Sequence, residues 1–416
     1  MKTNIFAAMF NRKMGTILLH GFSSGLPLGL TTSLLQGWMT REGVDLTTIG
    51  LFALVGIPYT FKFVWAPLMD RFVPPLLGRR RGWILVAQIL LMISICLLGF
   101  TNPVASPLTT ALFALFVAFF SATQDIAIDA YRTDVLRTQE TGVGASLYVT
   151  GYRVGYPIFS SALGFILSDY LPWSTIYMIM AGGMLIGVVA TLIAPEPEVP
   201  VSHPSKLKDA VILPFVEFFK RTGAAEILVF VILYRLTDVI GTALLTAFLI
   251  KTGFSAVTIG TATGSLWIPS IIGGIIGGAT MLKIGVYRSL WIFGILAAAT
   301  NLFYLALASV GPNVPLLAVA LSFDFLCSGM ATSAFSAFLM SAVNKKYTAT
   351  QFALLTSFMA QARVYLAAPS GWLVEHMGWQ TYFVFSMCLA LPGILLLFRF
   401  KRWTLGVPTK DVVQDV

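Results

Sequence analysis

The chain has 416 residues, of which 57% are hydrophobic and only 11% are charged. An average soluble domain carries about 25% charged residues, so a soluble protein of this length could not cover its surface with so few charges. The composition argues against a soluble globular protein, a disordered protein and a nucleic-acid-binding protein, and it favours a membrane protein. The net charge of +9 indicates an acidic partner only if the cations are not needed to orient the chain in a membrane.

Twelve apolar runs lie along the chain, each near the length of about 20 residues that a membrane helix requires. They predict an all-α polytopic membrane protein. In chain order the runs cover residues 14–39, 47–69, 83–100, 107–130, 142–168, 172–194, 224–250, 256–281, 289–309, 314–341, 350–372 and 377–398.

Lysines and arginines are distributed unevenly between the two sides of such a protein. If both termini are cytoplasmic, 21 of the 27 cations fall in cytoplasmic loops and tails, and only Arg41 and Lys251 fall outside. Positive loops remain on the cytoplasmic side, so this asymmetry predicts a multi-pass protein with both termini inside. The remaining four cations lie within predicted spans and are Lys62, Arg153, Arg235 and Arg363.

Short sequence matches recur at an offset of 210 residues. Thr48-Ile49-Gly50 falls on Thr258-Ile259-Gly260, and Arg153-Val154 falls on Arg363-Val364. Ordered matches at one offset indicate a duplicated six-helix unit, and an even number of spans makes the two copies parallel, as in the major facilitator fold. The predicted parts are a six-helix half over 1–194, a cytoplasmic linker with a short surface helix over 195–223, a second six-helix half over 224–398 and a cytoplasmic tail over 399–416.

Glycines are spaced four apart in two of the runs. Gly25 and Gly29 lie in the first run, and Gly151 and Gly155 lie in the fifth. Small residues at this spacing allow helices to approach one another closely, so both runs are predicted to pack tightly.

Charged residues within the spans indicate function, because each costs roughly 2.5–3.5 kcal/mol at a helix centre on insertion scales. Arg235 and Asp238 are three residues apart, so they share a helix face and are predicted to pair. Asp125 and Asp129 are four apart near the inner end of their run, and such close like charges favour the uptake of a proton. The alternative is that these charges only lock helices together.

Arg153 and Arg363 occupy equivalent positions in the repeat, so they are predicted to face one another across a central cavity. A guanidinium binds a carboxylate or phosphate through two hydrogen bonds, which favours an anionic substrate. We predict that the substrate is bound by Lys62, Arg153, Arg235 and Arg363. We predict that the proton is carried by Asp125, Asp129, Asp238 or Asp324.

The loop after the second run carries an acid and a cluster of arginines. It resembles the major facilitator signature Gly-x-x-x-Asp-Arg-x-Gly-Arg-[Arg/Lys]-[Arg/Lys], although Ala66 replaces the first glycine and the segment before Gly78 is longer. Ion pairs that form in one state and break in another make a gate, and the alternative is that the positive charges only fix the topology. The predicted gating residues are Asp70, Arg71, Arg79, Arg80 and Arg81.

Catalytic and nucleotide-binding motifs are absent from the sequence. It contains no Gly-x-x-x-x-Gly-Lys-[Ser/Thr] loop for ATP and no His-Glu-x-x-His metal motif. We therefore predict a transporter driven by an ion gradient, without a cofactor or a metal, rather than an enzyme.

Several longer segments resemble the AmpG muropeptide permease family, a branch of the major facilitators that is related to acetyl-coenzyme A transporters. They are Gly21–Pro27, Leu35–Met39, Pro58–Arg71, Gln124–Ile126, Asp129–Arg132 and Ala349–Leu354. The resemblance implies proton-driven import of anhydromuropeptides, the sugar–peptide products of cell-wall breakdown, across the bacterial inner membrane. Two alternatives remain. The substrate could instead be acetyl-coenzyme A, a siderophore or another anionic or peptide-like solute, and the protein could instead be a membrane sensor that does not transport its ligand. No obligate protein partner is expected.

Overall fold

The computed structural model describes residues 11–66, 69, 72–136, 141–196, 216, 218–220, 223–342, 348–400 and 403. All regular secondary structure in this part of the chain is helical. Up to residue 196 the α-helices are α1 (Arg12–Thr31), α2 (Ser33–Arg41), α3 (Leu46–Leu51), α4 (Ile57–Phe61), α5 (Arg79–Gly99), α6 (Pro107–Val135), α7 (Thr141–Arg153), α8 (Gly164–Leu167), α9 (Trp173–Gly183) and α10 (Leu185–Ile193).

Beyond residue 222 the α-helices are α11 (Ala224–Tyr234), α12 (Leu236–Ala243), α13 (Leu245–Thr252), α14 (Ala256–Ser265), α15 (Trp267–Ala299), α16 (Asn301–Val310), α17 (Val314–Ser341), α18 (Thr348–Ala367), α19 (Ser370–Cys388) and α20 (Ala390–Leu396). Short 3-10 turns lie at Phe52–Gly56, Lys62–Val64 and Leu397–Arg399, and a π-helix covers Val154–Leu163.

Eight helical stretches in the described residues are long and apolar enough to cross a membrane. They coincide with eight of the twelve predicted runs, and the other four runs are also helical where the structure describes them. Three of these four are broken, at Thr32, at Phe52–Gly56 and at the π-helix Val154–Leu163. In the fourth, α18 ends shortly before Pro369, because a proline disfavours helical backbone in the residue before it.

Glycines with positive φ lie at or beside two of the predicted loops: Gly285 lies between the predicted spans 256–281 and 289–309, and Gly378 lies at the start of the predicted span 377–398. Gly285 in α15 and Gly378 in α19 have φ angles of 77° and 74°, and the chain bends sharply at each. Only glycine adopts this backbone without a steric penalty, so it can separate two successive spans without a longer loop. Two helices therefore meet at Gly285, and the predicted spans 256–281 and 289–309 correspond to the separate spans Ala256–Met281 and Lys283–Val310.

The chain forms two compact units. The first unit contains Met1–Val201 and Leu249–Ser265, and the second contains Ser202–Phe248 and Leu266–Val416. Within the first unit, α14 packs closely on the π-helix, since a Cβ added at Gly260 would lie 2.7 Å from the carbonyl oxygen of Ala162. The division into six-helix halves at residues 194 and 224 stays a prediction. Most of the predicted linker helix lies outside the described residues.

An aromatic cluster closes one end of the second unit. Trp403 is 3% exposed and contacts Phe230 and Phe338, with ring centroids 5.1 and 5.9 Å away. Its indole N–H donates to the Glu226 carboxylate over 2.9 Å, and Arg399 pairs with the same carboxylate at 3.3 Å. Trp403 therefore fastens the segment after α20 to the start of α11.

Replacing Trp403 by alanine is expected to lower the free energy of unfolding by about 3–5 kcal/mol, because a large buried ring and an indole hydrogen bond are both lost. The midpoint of thermal unfolding, measured on purified protein, tests this. Phe398→Ala is the control, since Phe398 is 71% exposed and belongs to the same segment. Equal shifts in the two variants would contradict the role assigned to Trp403.

Candidate functional site

The first charged cluster lies in the first unit and joins the turn after α4 to α6. The Asp129 carboxylate accepts from Arg132 Nη2 at 2.5 Å, and Lys62 Nζ lies 4.0 Å from its other oxygen. Asp125 interacts electrostatically with Lys62, Asp129 and Arg132. Residues 125, 129 and 132 meet because spacings of three and four place side chains on one face of a helix. The side chains of Lys62 and Asp129 are 40% and 48% exposed, so this part of the cluster is accessible, whereas Asp125 is buried.

Two members of this cluster were not predicted from the sequence. In the sequence analysis Arg132 was used only as one of the cytoplasmic cations that predict the topology, and Tyr148 was assigned no role. The Arg132 guanidinium carbon lies 3.7 Å from the centre of the Tyr148 ring, a cation–π contact between α6 and α7. The spacing from Asp129 to Arg132 is the signal that could have revealed the arginine. The sequence contains no comparable signal for Tyr148, because its contact joins two helices.

Asp125 is buried among hydroxyl groups. Its carboxylate interacts with the Ser24 hydroxyl and, electrostatically, with Tyr59, whose own hydroxyl interacts with that of Ser121. Asp125 therefore differs from Asp129, which is held by two cations.

The second charged cluster lies in the second unit and contains the predicted pair. Arg235 Nη2 lies 2.6 Å from Asp238 Oδ2, which confirms that the two residues interact. Arg235 also donates to the Thr332 hydroxyl at 3.2 Å, so α17 helps to orient the guanidinium. Asp324, also on α17, interacts electrostatically with both Asp238 and Arg235.

Asp324 is held by hydroxyl groups. It is 6% exposed, and it accepts from Thr300 Oγ1 at 2.6 Å and from Tyr304 at 2.8 Å. Both donors belong to the segment where α15 meets α16, and their spacing of four places them on the same helix face. No cation among the described residues lies within ion-pair distance of this carboxylate. Sequence reasoning identified Asp324 but not its two donors.

Arg153 and Arg363 belong to different units. Arg153 ends α7, directly before the π-helix, and Arg363 is exposed on α18. The expectation that they face one another across a central cavity stays a prediction.

The arginine-rich loop predicted from the sequence ends in the first turn of α5, which contains Arg79, Arg80 and Arg81 and is bonded to two other helix ends of the first unit. Arg80 Nε lies 2.6 Å from Asp134 Oδ2 near the end of α6. Arg81 donates to the carbonyls of Thr191 and Leu192 at 3.0 and 2.8 Å, which satisfies the last turn of α10 and its negative dipole end. Asp70 and Arg71 lie outside the described residues, and the gating role of the loop stays a prediction.

Glu196 completes this end of the unit. Its carboxylate lies 4.0 Å from Arg81 Nε, and it faces Gly78, where an added Cβ would lie 2.5 Å from Oε1. Burial raises the pKa of the Glu196 carboxyl above its ordinary value, and the positive charge of Arg81 acts in the opposite direction. Glu196 therefore belongs to the same ionic contact as the predicted gating arginines, although the sequence did not indicate it.

Replacing Arg80 by glutamine is expected to lower the free energy of unfolding by about 1–2 kcal/mol, because Asp134 loses its charged donor in a half-buried position. Arg79→Gln removes the same charge from the neighbouring residue and is the matched control. The exchange Arg80→Asp with Asp134→Arg should restore much of the stability. Equal losses in the Arg79 and Arg80 variants, measured by thermal unfolding, would show that only the net positive charge matters.

The sequence and the fold both match known transporters. Residues 16–367 match the family described as Major Facilitator Superfamily. The chain is 45% identical over 389 residues to the anhydromuropeptide permease of Escherichia coli K12, covering 93% of this chain and 79% of that protein. It is 37% identical over 412 residues to a protein of Haemophilus influenzae, covering 96% of each.

Solved structures agree at the level of the fold. A D-xylose–proton symporter has a TM-score of 0.72 at 12% identity, covering 98% of each chain. A bacterial homolog of the human lysosomal transporter Spinster also has a TM-score of 0.72, at 15% identity, covering 95% of this chain and 97% of that one. Taken with the family match and the identity to the permease, this fold shows that the chain belongs to the major facilitator superfamily and, within it, to the AmpG permease family.

Proposed function

We propose that this protein is a proton-coupled permease that imports anhydromuropeptides across the inner membrane by alternating access. The observation that carries the proposal is the 45% identity to the anhydromuropeptide permease of Escherichia coli over 93% of the chain. The charged clusters within the helices support it, because charges inside membrane spans mark substrate and ion pathways.

The substrate groups fit the cations. Muropeptides carry peptide carboxylates, which a guanidinium binds through two hydrogen bonds. Arg363 is exposed, and Lys62 lies in the accessible part of the first cluster. We assign these two residues, with Arg153 and Arg235, to the recognition of the anionic peptide.

The balance of positive and negative charges in each cluster indicates which acid carries the transported proton. The first cluster contains Lys62 and Arg132 against Asp125 and Asp129, so it is balanced when all four are ionised. The second cluster contains one cation, Arg235, against Asp238 and Asp324. An uncompensated charge in a buried site is costly, and protonation of one acid removes it. Because Asp238 is paired with Arg235, Asp324 is the acid that we assign to the transported proton.

The positive loops orient the protein in this proposal. Both termini lie in the cytoplasm, so Arg79, Arg80 and Arg81 lie on the cytoplasmic side. The bonds from Arg80 and Arg81 to Asp134, Thr191 and Leu192 support a gating role for this loop, because they join helix ends that a closed inner side must hold together.

Uptake by proteoliposomes tests the proposal. The purified protein is reconstituted, and labelled N-acetylglucosaminyl-anhydro-N-acetylmuramyl tripeptide is supplied with and without an imposed pH gradient. Accumulation above the external concentration that a protonophore abolishes is the expected result. Accumulation that survives the protonophore would exclude proton coupling, and a complete absence of uptake would exclude the substrate. Competition with unlabelled acetyl-coenzyme A tests the alternative substrate in the same assay.

A further inference from the structure

A cavity of about 350 Å³ lies at the end of the first unit that is opposite the arginine-rich loop. Helix α5 starts at Arg79 and ends at Gly99, which lines the cavity, and its 21 residues separate the two ends by about 30 Å. Three helix ends form the walls. The lining residues are Trp38, Glu42, Gly99, Phe100, Thr101, Asn102, Pro103, Trp173 and Ser174.

Aromatic rings form one wall of the cavity. Trp38 and Trp173 are stacked, with ring centroids 5.8 Å apart and planes inclined by 23°. Trp38 is 4% exposed and also contacts Tyr177, so it is fixed from behind, whereas Trp173 is only half-buried. Trp173 therefore presents a supported aromatic surface to the cavity.

Polar groups also line the cavity. The Glu42 side chain is exposed, and its carboxylate forms no ion pair with any described residue. Asn102 Oδ1 accepts from the backbone N–H groups of Val104 and Ala105 at 3.0 and 2.9 Å, which leaves its NH₂ group as a donor. Ser174 adds a hydroxyl, so the rim offers both donors and acceptors.

The walls are fixed before any ligand binds. Arg41 donates to Ser168 Oγ at 3.0 Å and pairs with Asp169 at 2.8 Å, which ties the residue beside Glu42 to the loop before Trp173. Behind the cavity, a Cβ added at Gly99 would lie 2.5 Å from Tyr177 Cβ, so α5 and α9 are in close contact. A preformed site of this kind loses little conformational entropy on binding.

We propose that this cavity binds one N-acetylhexosamine ring of a saccharide. Trp173 would stack on the apolar face of the ring, and Glu42 and Asn102 would bond its hydroxyl and acetamido groups. The volume is near the lower end of the range of about 300–1,000 Å³ for small-molecule sites, so it suits one ring rather than a whole muropeptide. The negative Glu42 disfavours the peptide carboxylates and lipid phosphates. The inference rests on the proposed function, in which the sugar end of the substrate is captured here before transport.

Direct binding of a peptide-free disaccharide tests the inference. The probe is N-acetylglucosaminyl-1,6-anhydro-N-acetylmuramic acid, titrated calorimetrically into protein in lipid nanodiscs, because glycoside detergents would compete for the site. Saturable binding is expected, with Kd raised about tenfold or more by Trp173→Ala and about threefold to tenfold by Glu42→Gln. Glu42 is exposed, so its variant tests the site even if the tryptophan variant does not fold. Trp372→Ala is the control, since Trp372 is 50% exposed and lies in the other unit.

The outcomes separate this inference from the proposed function. Failure of the wild type to bind the disaccharide, or the same Kd in wild type and both variants, would overturn the sugar site even where muropeptide uptake is intact. Saturable binding that both variants weaken would establish the site even where uptake is absent. In proteoliposomes that transport, Glu42→Gln should raise KM by the same factor as Kd and leave kcat unchanged, because capture precedes translocation.

Discussion

Replacing Gly151 by alanine is expected to destabilise the first unit by about 3 kcal/mol or more, toward the upper end of the cost of overpacking. The added Cβ would overlap the carbonyl oxygen of Leu18 and would lie 2.9 Å from the backbone nitrogen of Phe22. Both obstacles are backbone atoms of α1, so no side chain can rotate away. The two helices would have to separate along their whole contact.

The contact repeats on both helices, which makes separation costly. A Cβ at Gly155 would overlap the carbonyl oxygen of Phe22, and in the opposite direction Gly21 and Gly25 face the carbonyl oxygens of Tyr148 and Tyr152. Four glycines therefore fix the distance between α1 and the fifth run. Since Tyr148 carries the cation–π contact with Arg132, a shift of this run would also disturb the first charged cluster.

Gly182→Ala is the matched control for Gly151→Ala. Gly182 also lies within a helix, but no atom lies within 4 Å of its added Cβ. Alanine favours helix over glycine by about 1 kcal/mol, so this variant should be as stable as the wild type or slightly more stable. The midpoint of thermal unfolding and the yield of folded protein decide the comparison. A Gly151 variant as stable as the Gly182 variant would contradict the packing described for α1.

The glycine pattern shows which features of helix packing can be predicted from the sequence. The spacing of Gly25 and Gly29, and of Gly151 and Gly155, was enough to predict that both runs pack closely. It did not reveal that these runs pack on each other, because the partner of a helix face depends on tertiary arrangement. The same limit applies to the bends at Gly285 and Gly378, because hydropathy does not show that a single glycine of positive φ joins two successive helices.

For the charged residues too, contacts within one helix could be predicted from the sequence and contacts between helices could not. Arg235 and Asp238 share one helix, so their spacing alone predicted the ion pair that the structure contains. The contacts of Lys62 with Asp129, of Arg132 with Tyr148 and of Asp324 with Tyr304 each join two helices. They depend on how each helix is rotated about its axis, which hydropathy and spacing do not specify. Sequence therefore identified the charges, and the structure identified their partners.

Replacing Asp324 by asparagine is expected to abolish accumulation against a gradient while exchange continues. Asparagine has nearly the same shape, and its amide can still accept from one hydroxyl and donate to the other, so the contacts with Thr300 and Tyr304 are largely retained. What is lost is the ability to exchange a proton. With a pH gradient of about one unit, a single coupled proton supports about tenfold accumulation. In the variant, the internal substrate concentration should rise only to the external concentration.

Two assays on the same proteoliposomes separate coupling from folding and binding. Accumulation driven by a pH gradient should fall about tenfold, to equilibration, whereas counterflow of labelled against unlabelled substrate should stay within about twofold of wild type. Asp45→Asn is the control, because it removes an exposed carboxylate that caps α3 outside the predicted spans, and asparagine caps a helix equally well. It should leave both measurements unchanged.

Asp125→Asn distinguishes the two charged clusters. In the balanced first cluster, neutralising Asp125 leaves an excess cation beside Asp129, so it should impair both counterflow and accumulation through the altered binding site. In the second cluster, neutralising Asp324 leaves Arg235 paired with Asp238, and this balance is the one that protonation produces. The Asp324 variant therefore mimics a protonated state that the transport cycle already visits, which is why exchange should survive. If Asp125→Asn alone uncoupled accumulation and spared exchange, the proton would belong to the first cluster, and the assignment from charge balance would be wrong.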